Sequence, residues 1–334
     1  MDRVLIIRTG AMGDIVLATA VVEAIAKDSP QTAVEFLLKK RFSGILEGQP
    51  HISRLWLLDE RGEHRGVRGL LLFIQEIQRE RFDLVIDLQD NFRSRLISHC
   101  LRAENKLRWD KLAWRRRLWA WLGVKPRATR PVFRRYLDTL HPLGLDTEGS
   151  RPRLYVAMKN SSGLPPEGFV ALAPGAHWPA KRWPREYFVS LAQMILEETG
   201  LSIVVVGSAE DRALGAEISK PFPTRMMDLC GRLGLKELRE VVARARVLVT
   251  NDTGPMHLAE ALGVPVLAFF GPTVREFGFA PWRPESRVLE VTLNCRPCSL
   301  HGGRVCPRKH FRCLRGITPR QAWDSLREMI DAGK

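Results

Sequence analysis

The sequence predicts an α/β protein of two doubly wound lobes in tandem, and three observations predict it. Short apolar runs alternate with helical patterns along the chain, as they do where helices cover both faces of a parallel sheet. Two strand-to-helix turns share one grammar: Val4-Leu5-Ile6-Ile7-Arg8-Thr9-Gly10-Ala11-Met12-Gly13-Asp14 and Val247-Leu248-Val249-Thr250-Asn251-Asp252-Thr253-Gly254-Pro255-Met256-His257. Between them Lys159-Asn160-Ser161-Ser162-Gly163-Leu164-Pro165-Pro166 gathers polar residues, a glycine and paired prolines into a linker.

The elements follow in order. In the first lobe, residues 1–157, apolar runs of strand length predict strands at 3–7, 33–38, 54–58 and 83–88. Residues 158–168 form the linker, and the second lobe, 169–318, has its strands at 169–173, 202–207, 247–250 and 265–270. Thr318-Pro319 starts a last amphipathic helix, 319–334, with Trp323, Leu326 and Ile330 on one face. That helix is expected to cross back onto the first lobe, and the two lobes to face a central cleft.

A length of 334 residues with 45% hydrophobic content supports two such cores. No apolar run reaches the roughly 18 residues of a membrane span, and the start lacks a signal-peptide pattern, so a cytoplasmic location is expected. The net charge of +15 favours polyanionic partners: nucleic acid, anionic lipid or phosphorylated glycolipid. From Arg102 to Arg135 there are twelve Lys/Arg against two acidic residues, with Trp109, Trp114, Trp119 and Trp121 interleaved. A basic helix over 106–121 suits peripheral contact with an anionic membrane surface; the alternative is a domain-edge helix whose tryptophans pack inward. No single-strand-binding or helix-turn-helix signature accompanies it, so nucleic acid is not the expected partner.

At the first turn, Gly10 and Gly13 fall short of the three-glycine dinucleotide fingerprint, and the second strand ends at Leu38-Lys39-Lys40 without the acid that would hold a ribose. A nicotinamide cofactor is therefore not expected, and no other cofactor is implied. The glycines let backbone approach a ligand, and Asp14 arrives where the helix starts. Two uses suit that carboxylate: a plain N-cap, or a general base taking a proton from an acceptor hydroxyl.

In the second half, Ala173-Pro174-Gly175-Ala176-His177-Trp178-Pro179-Ala180-Lys181-Arg182-Trp183-Pro184 follows a strand and fixes two cations between stiffening prolines. Lys181 is the natural point charge for a leaving diphosphate. Asp252-Thr253-Gly254-Pro255 opens a helix ending at Gly263, whose free N–H groups make an anion site, with His257 in its first turn. Asp252 beside a diphosphate is electrostatically unfavourable, which points to a loop-orienting role or a sugar hydroxyl. In Gly207-Ser208-Ala209-Glu210-Asp211 either carboxylate serves as ribose holder or helix cap, with Glu210 the favoured holder.

Taken together, these residues resemble the ADP-heptose lipopolysaccharide heptosyltransferases of glycosyltransferase family 9 over essentially the whole chain. The resemblance is carried by Gly13-Asp14, Asp87-Leu88-Gln89 with Arg93-Ser94, Pro174-Gly175-Ala176 with Pro179-Ala180-Lys181-Arg182-Trp183-Pro184, Asn251 through His257, and Gly271-Pro272-Thr273. It implies a GT-B fold, with the donor held mainly by the second lobe and the acceptor by the first. The implied reaction is metal-independent, inverting transfer of heptose from ADP-heptose to Kdo-lipid A or heptosyl-Kdo-lipid A on the inner face of the cytoplasmic membrane. By position, Asp14 is the implied base and Lys181 the phosphate-binding cation. Gly13, Arg182, Asp252, Thr253, Gly254 and His257 fall in the donor site, Glu210 at the ribose, Leu233 where a backbone group meets adenine, and Arg93 and Ser94 toward the acceptor. The Pro-Ala-Lys-Arg-Trp-Pro string is nearer to the second-heptosyltransferase branch than to the first, and Ala20 departs from the proline common in relatives.

Cys295-x₂-Cys298, Cys306 and Cys313, with His301 and His310 between them, open with the spacing of a structural zinc site and continue irregularly. Reduced thiols, a structural metal and redox pairing all remain open from sequence, with no catalytic role implied. A rival of another class is a non-catalytic basic scaffold that binds RNA or membrane through Arg102 to Arg135.

Overall fold

The computed structural model describes residues 1–110, 130–157, 163–165 and 168–333. The chain forms two compact units, one holding residues up to 110 together with Val132–Tyr155, the other running on from Val156. Most of the expected linker, and the centre of the basic stretch at 111–129, lie outside the described residues.

The first unit runs β1 (Arg3–Ile7), α1 (Met12–Asp28), β2 (Ala33–Lys39), α2 (Ser43–Leu46), β3 (Arg54–Leu58), α3 (Gly66–Ile77), β4 (Arg81–Asp87), α4 (Phe92–Cys100), β5 (Arg102–Arg108) and α5 (Val132–Leu137). Its strands pair in parallel in the order β3-β2-β1-β4-β5. Val4 to Ile7 of the central β1 are wholly buried, which is why that strand reads as an unbroken apolar run and not an alternation. Leu5, Ile7 and Val85 meet Leu70, Phe73, Ile74 and Ile77 of α3 and Ile97 of α4 in one core, so α3 and α4 share a face of the sheet.

The second unit runs β6 (Phe169–Ala173), α6 (Arg185–Glu198), β7 (Ser202–Val205), α7 (Arg212–Ser219), β8 (Met226–Asp228), α8 (Leu235–Val242), β9 (Val247–Asn251), α9 (Gly254–Ala261), β10 (Val266–Phe270), β11 (Arg287–Glu290), α10 (Arg312–Arg315) and α11 (Pro319–Ala332). Its order is β11-β10-β9-β6-β7-β8, again all parallel. Each sheet has a point where successive connections leave in opposite directions: β1 beside β4, and β6 beside β9. A crevice opens beyond the carboxyl ends of such strands, and ligands of open α/β sheets bind there. The two matched turns of the sequence follow β1 and β9, so the fold delivers both to switch points.

Two expectations are corrected. Lys106, Leu107 and Arg108 belong to the edge strand β5, not to the start of a basic helix; the rest of that expected helix, apart from Trp109 and Asp110, falls outside the described residues. Strands β5, β8 and β11 escape the apolar-run reading because β5 is largely exposed and β8 and β11 are three and four residues long. The last helix is capped by Thr318 with Gln321 and started by Pro319. Ala322, Trp323, Leu326, Met329 and Ile330 join the second unit's core with Trp183, Phe188 and Phe269, because α6 offers that stripe an apolar partner of equal length. Among the described residues no helix is long and apolar enough to cross a membrane.

Candidate functional site

Beyond β1, the structure excludes the N-cap use of Asp14. Helix α1 begins at Met12 with Ala11 as its cap, so Asp14 sits inside the first turn and is not the N-cap. Its carboxylate is held by Arg8 (Nη2 to Oδ2, 2.6 Å) and accepts from the Tyr136 hydroxyl at 3.4 Å. Arg8 is the residue that sequence reasoning passed over. Only 4% exposed, it donates to the Leu88 carbonyl at 2.6 Å and lies near the rings of Trp109 and Tyr136. Burial works against its charge, but Asp14, Tyr136 and Asp87 outweigh that and raise its pKa. The signal in the sequence was an arginine closing an apolar central strand, at the edge where ligands bind.

Beyond β4, Asp87 is 1% exposed and accepts from the Gln89 and Asp90 N–H groups at 2.9 Å and from the Ser94 hydroxyl at 2.8 Å. Gln89 in turn accepts from the Thr9 backbone and hydroxyl, tying this loop to β1. Ser94 completes a capping box with Asn91 and is 1% exposed. Its hydroxyl accepts from the Asn91 N–H and donates to Asp87, holding the start of α4. Ser94→Ala is accordingly expected to cost about 1–2 kcal/mol, read as a lowered denaturant midpoint. Arg93 points the other way, half exposed and paired with Glu60 (2.6 Å), which Lys39 also holds at 2.7 Å. Burial pushes the Glu60 carboxyl up, yet these two cations prevail and hold it below its ordinary range.

In the second unit the loops beyond β6 and β9 are latched together by Asn251, which is 0% exposed. Its amide donates to the Pro174 carbonyl at 2.8 Å and accepts from the Trp183 N–H at 2.9 Å. Trp183 itself is core, stacked on Phe269 at 4.2 Å. Within this frame Lys181 Nζ lies 2.6 Å from Asp252 Oδ2, which also accepts from Thr273 Oγ1 at 2.6 Å. Burial alone would raise the Asp252 pKa; the Lys181 charge and the two hydrogen bonds outweigh it and lower it. Asp252 is thus engaged by Lys181 and Thr273.

Thr253 is the N-cap of α9 and no side chain caps that end; Pro255 has no N–H and the Met256 N–H donates to the Thr253 carbonyl at 3.2 Å, so it is the Gly254 N–H that suits an anion. His257 is 5% exposed and lies parallel to Trp282, centroids 6.2 Å apart, with Phe279 at its edge. Arg182 donates to the Ala176 carbonyl at 2.9 Å. Glu210 is exposed, whereas the neighbouring Asp211 is buried and accepts from the Ser208 backbone and hydroxyl at 2.9 and 2.7 Å. That separates the two carboxylates: Asp211 shapes the turn, leaving Glu210 at the surface. Gly175 is obligatory beside it, since a Cβ would come within 2.4 Å of the Asp211 carboxylate. Leu233 lies in the turn before α8, partly buried.

Two further features surround this loop. Arg296, 2% exposed, donates to the carbonyls of Phe270, Gly271, Thr273 and Val291 and pairs with Glu290 at 2.8 Å, fixing the Gly271-Pro272-Thr273 turn. The cysteine segment buttresses Lys181: Ala180 N–H donates to the Gly303 carbonyl at 3.0 Å, and Gly302, at φ +104°, leaves no room for a Cβ beside the lysine stem. Cys295, Cys298, Cys306 and Cys313 are free thiols, and among the described residues no group of three or more metal-ligating side chains is placed to hold an ion. Burial and the neighbouring thiols push the Cys298 thiol up to about 11.

Comparison with known proteins places this geometry. The sequence model of glycosyltransferase family 9 (heptosyltransferase) matches residues 70–307. The lipooligosaccharide heptosyltransferase 2 of Haemophilus influenzae is 29% identical over 181 residues, 52% of this chain and 50% of that protein, so the chain spans about half the length of the curated relatives matched at this level. The lipopolysaccharide heptosyltransferase 2 of Escherichia coli K12 is 24% identical with 98% of each chain covered. The crystal structure of a family 9 glycosyl transferase from Veillonella parvula superposes with a TM-score of 0.82 at 22% identity, covering 99% of this chain and 98% of that one.

Proposed function

The chain belongs to glycosyltransferase family 9, and on that premise we propose that it transfers heptose from ADP-L-glycero-D-manno-heptose to the lipopolysaccharide inner core. In this reading the transfer inverts the anomeric centre, needs no metal, and favours the first core heptose over Kdo as acceptor. The observation that carries it is the second unit's switch point, where a nearly buried lysine, oriented by Asp252 and Thr273, accompanies an uncapped helix N-terminus. A cation and the Gly254 N–H at the positive end of a helix dipole meet the charge that develops on a departing ADP.

Asp14 takes the proton from the acceptor hydroxyl as that oxygen attacks the anomeric carbon, and the bond to the ADP phosphate breaks in the same displacement. The leaving charge goes to Lys181 and the start of α9, with Gly13 and Gly254 allowing close backbone approach. Glu210 holds the ribose hydroxyls, Leu233 flanks adenine, and Arg182, Thr253 and His257 line the donor site. Arg93 binds the phosphates and carboxylates of the acceptor; Arg93→Ala is expected to raise the acceptor KM about tenfold, for loss of a charge-assisted hydrogen bond of ~1.5–3 kcal/mol. Because that acceptor is lipid-linked, the enzyme works peripherally on the inner face of the cytoplasmic membrane.

The test is ADP release from ADP-heptose in EDTA, with acceptors ending in Kdo compared with acceptors already bearing one heptose. Turnover only with the heptose-bearing acceptor is expected. Turnover on Kdo alone would move the protein to the first transfer, and a silent enzyme that still binds ADP would move it to another donor sugar.

A further inference from the structure

Six large hydrophobic side chains are exposed among the described residues, and four of them stand on two neighbouring helix starts. Val67 (75%), Leu71 (47%) and Leu72 (53%) project from α3, and Phe92 (80%) is the first residue of α4. Both helices follow strands of one parallel sheet, so both begin at its carboxyl edge, and their buried stripes share one core on one face. Helix α3 is thus apolar on two sides: Leu70, Phe73, Ile74 and Ile77 face the sheet, while Val67, Leu71 and Leu72 face solvent. A surface helix with one partner places polar residues on its outer side, and a concentrated apolar patch marks an interaction surface.

The charges around this patch break a second local rule. Helix N-termini favour acidic residues, because the backbone dipole is positive there. Neither α3 nor α4 has an acid in its first turn; Arg65 and Arg68 stand at the start of α3, and Arg93 and Arg95 at the start of α4, all exposed. Arg93 and Arg95 are partly offset by Glu60 and Asp90, at 2.6 and 2.7 Å. Sites where sequence departs from local preference without compensation are typically functional. Exposed apolar side chains ringed by arginine complement an anionic bilayer, where the former enter the headgroup boundary and the latter meet lipid phosphate.

We propose that the first half of α3 and the start of α4 form a membrane-docking surface, Val67, Leu71, Leu72 and Phe92 entering an anionic bilayer while Arg65, Arg68 and Arg95 lie at phosphate level. The inference rests on the lipid-linked acceptor of the reading above and gives that reading a described surface, separate from residues 111–129.

The test is co-sedimentation of the full chain with vesicles of phosphatidylethanolamine and phosphatidylglycerol, against vesicles of phosphatidylcholine. The wild type is expected to prefer the anionic vesicles. The variant V67S/L71Q/L72Q/F92S is expected to lose at least about tenfold in vesicle affinity, and R65Q/R68Q to lose the anionic preference about as strongly. All six positions are exposed, so the fold should survive, and circular dichroism with ADP binding checks that it does. Turnover of a delipidated acceptor by both variants should match the wild type; failure of the wild type on that acceptor would sink the transferase reading and not this one. Unchanged vesicle binding by the apolar variant, or no vesicle binding by the wild type, overturns the proposal. So does a wild-type dimer that the apolar variant dissolves, since a second copy would then be the occupant.

Discussion

Asp14→Asn is expected to lower kcat by about 10²- to 10⁴-fold while leaving ADP binding intact, because it removes a positioned base and keeps the side chain's shape. The structure makes this a clean substitution in one respect: Asp14 is not the cap of α1, so no backbone N–H is orphaned. It is less clean in another, since Arg8 is buried against Asp14 and would lose its charge partner. An amide oxygen can still accept from Arg8, and the Leu88 carbonyl still holds the guanidinium's other arm, so a stability loss of about 1–3 kcal/mol is expected beside the kinetic loss. Urea denaturation and single-turnover ADP release separate the two. Full turnover in this variant would show that Asp14 is not the base, and loss of ADP binding would make Asp14 a structural partner of Arg8.

What was legible in the sequence follows from what each residue does. Strands β1, β6, β9 and β10 announce themselves because burial on both faces leaves apolar residues at nearly every position, Arg3, Thr250 and Asn251 at the strand ends apart. Edge strand β5, reading Arg-Ala-Glu-Asn-Lys-Leu-Arg, carries no such record, since it is exposed along most of its length. The site was legible where a motif is local: Asp14 after its glycines, Thr253-Gly254-Pro255 at a helix start, Lys181 between prolines. It was not legible where a role depends on distant partners. Nothing near Arg8 in the chain reveals Leu88 and Tyr136, and nothing near Asn251 reveals Pro174 and Trp183. Ser94 shows the same limit: nothing beside it in the chain reveals that the fold turns its hydroxyl toward Asp87.

Lys181→Met should cost about 3–5 kcal/mol of stability along with most of the donor affinity, because it leaves Asp252 buried and uncompensated. The methionine keeps the stem that packs beside Gly302, so lost packing contributes little. Asp252 has a folded pKa held below its ordinary range. Its contribution to stability is therefore fully present above the unfolded value near 3.9 and is lost as pH falls through the depressed folded value. Without Lys181, burial raises the Asp252 pKa in the variant, so the stability gap between wild type and Lys181→Met should be widest at neutral pH, begin to narrow as pH falls toward that raised value, and narrow further below about pH 4. The double variant K181M/D252N then decides what the lysine is for. Removing both charges removes the buried imbalance, so its unfolding midpoint should return most of the way to wild type, with Thr273 still able to donate to the amide oxygen. Turnover should not return, because the cation that meets the leaving phosphate is gone. If stability and turnover recover together, the pair only braces the β6 and β9 loops, and the charge on departing ADP must be met by the start of α9 and its other neighbours.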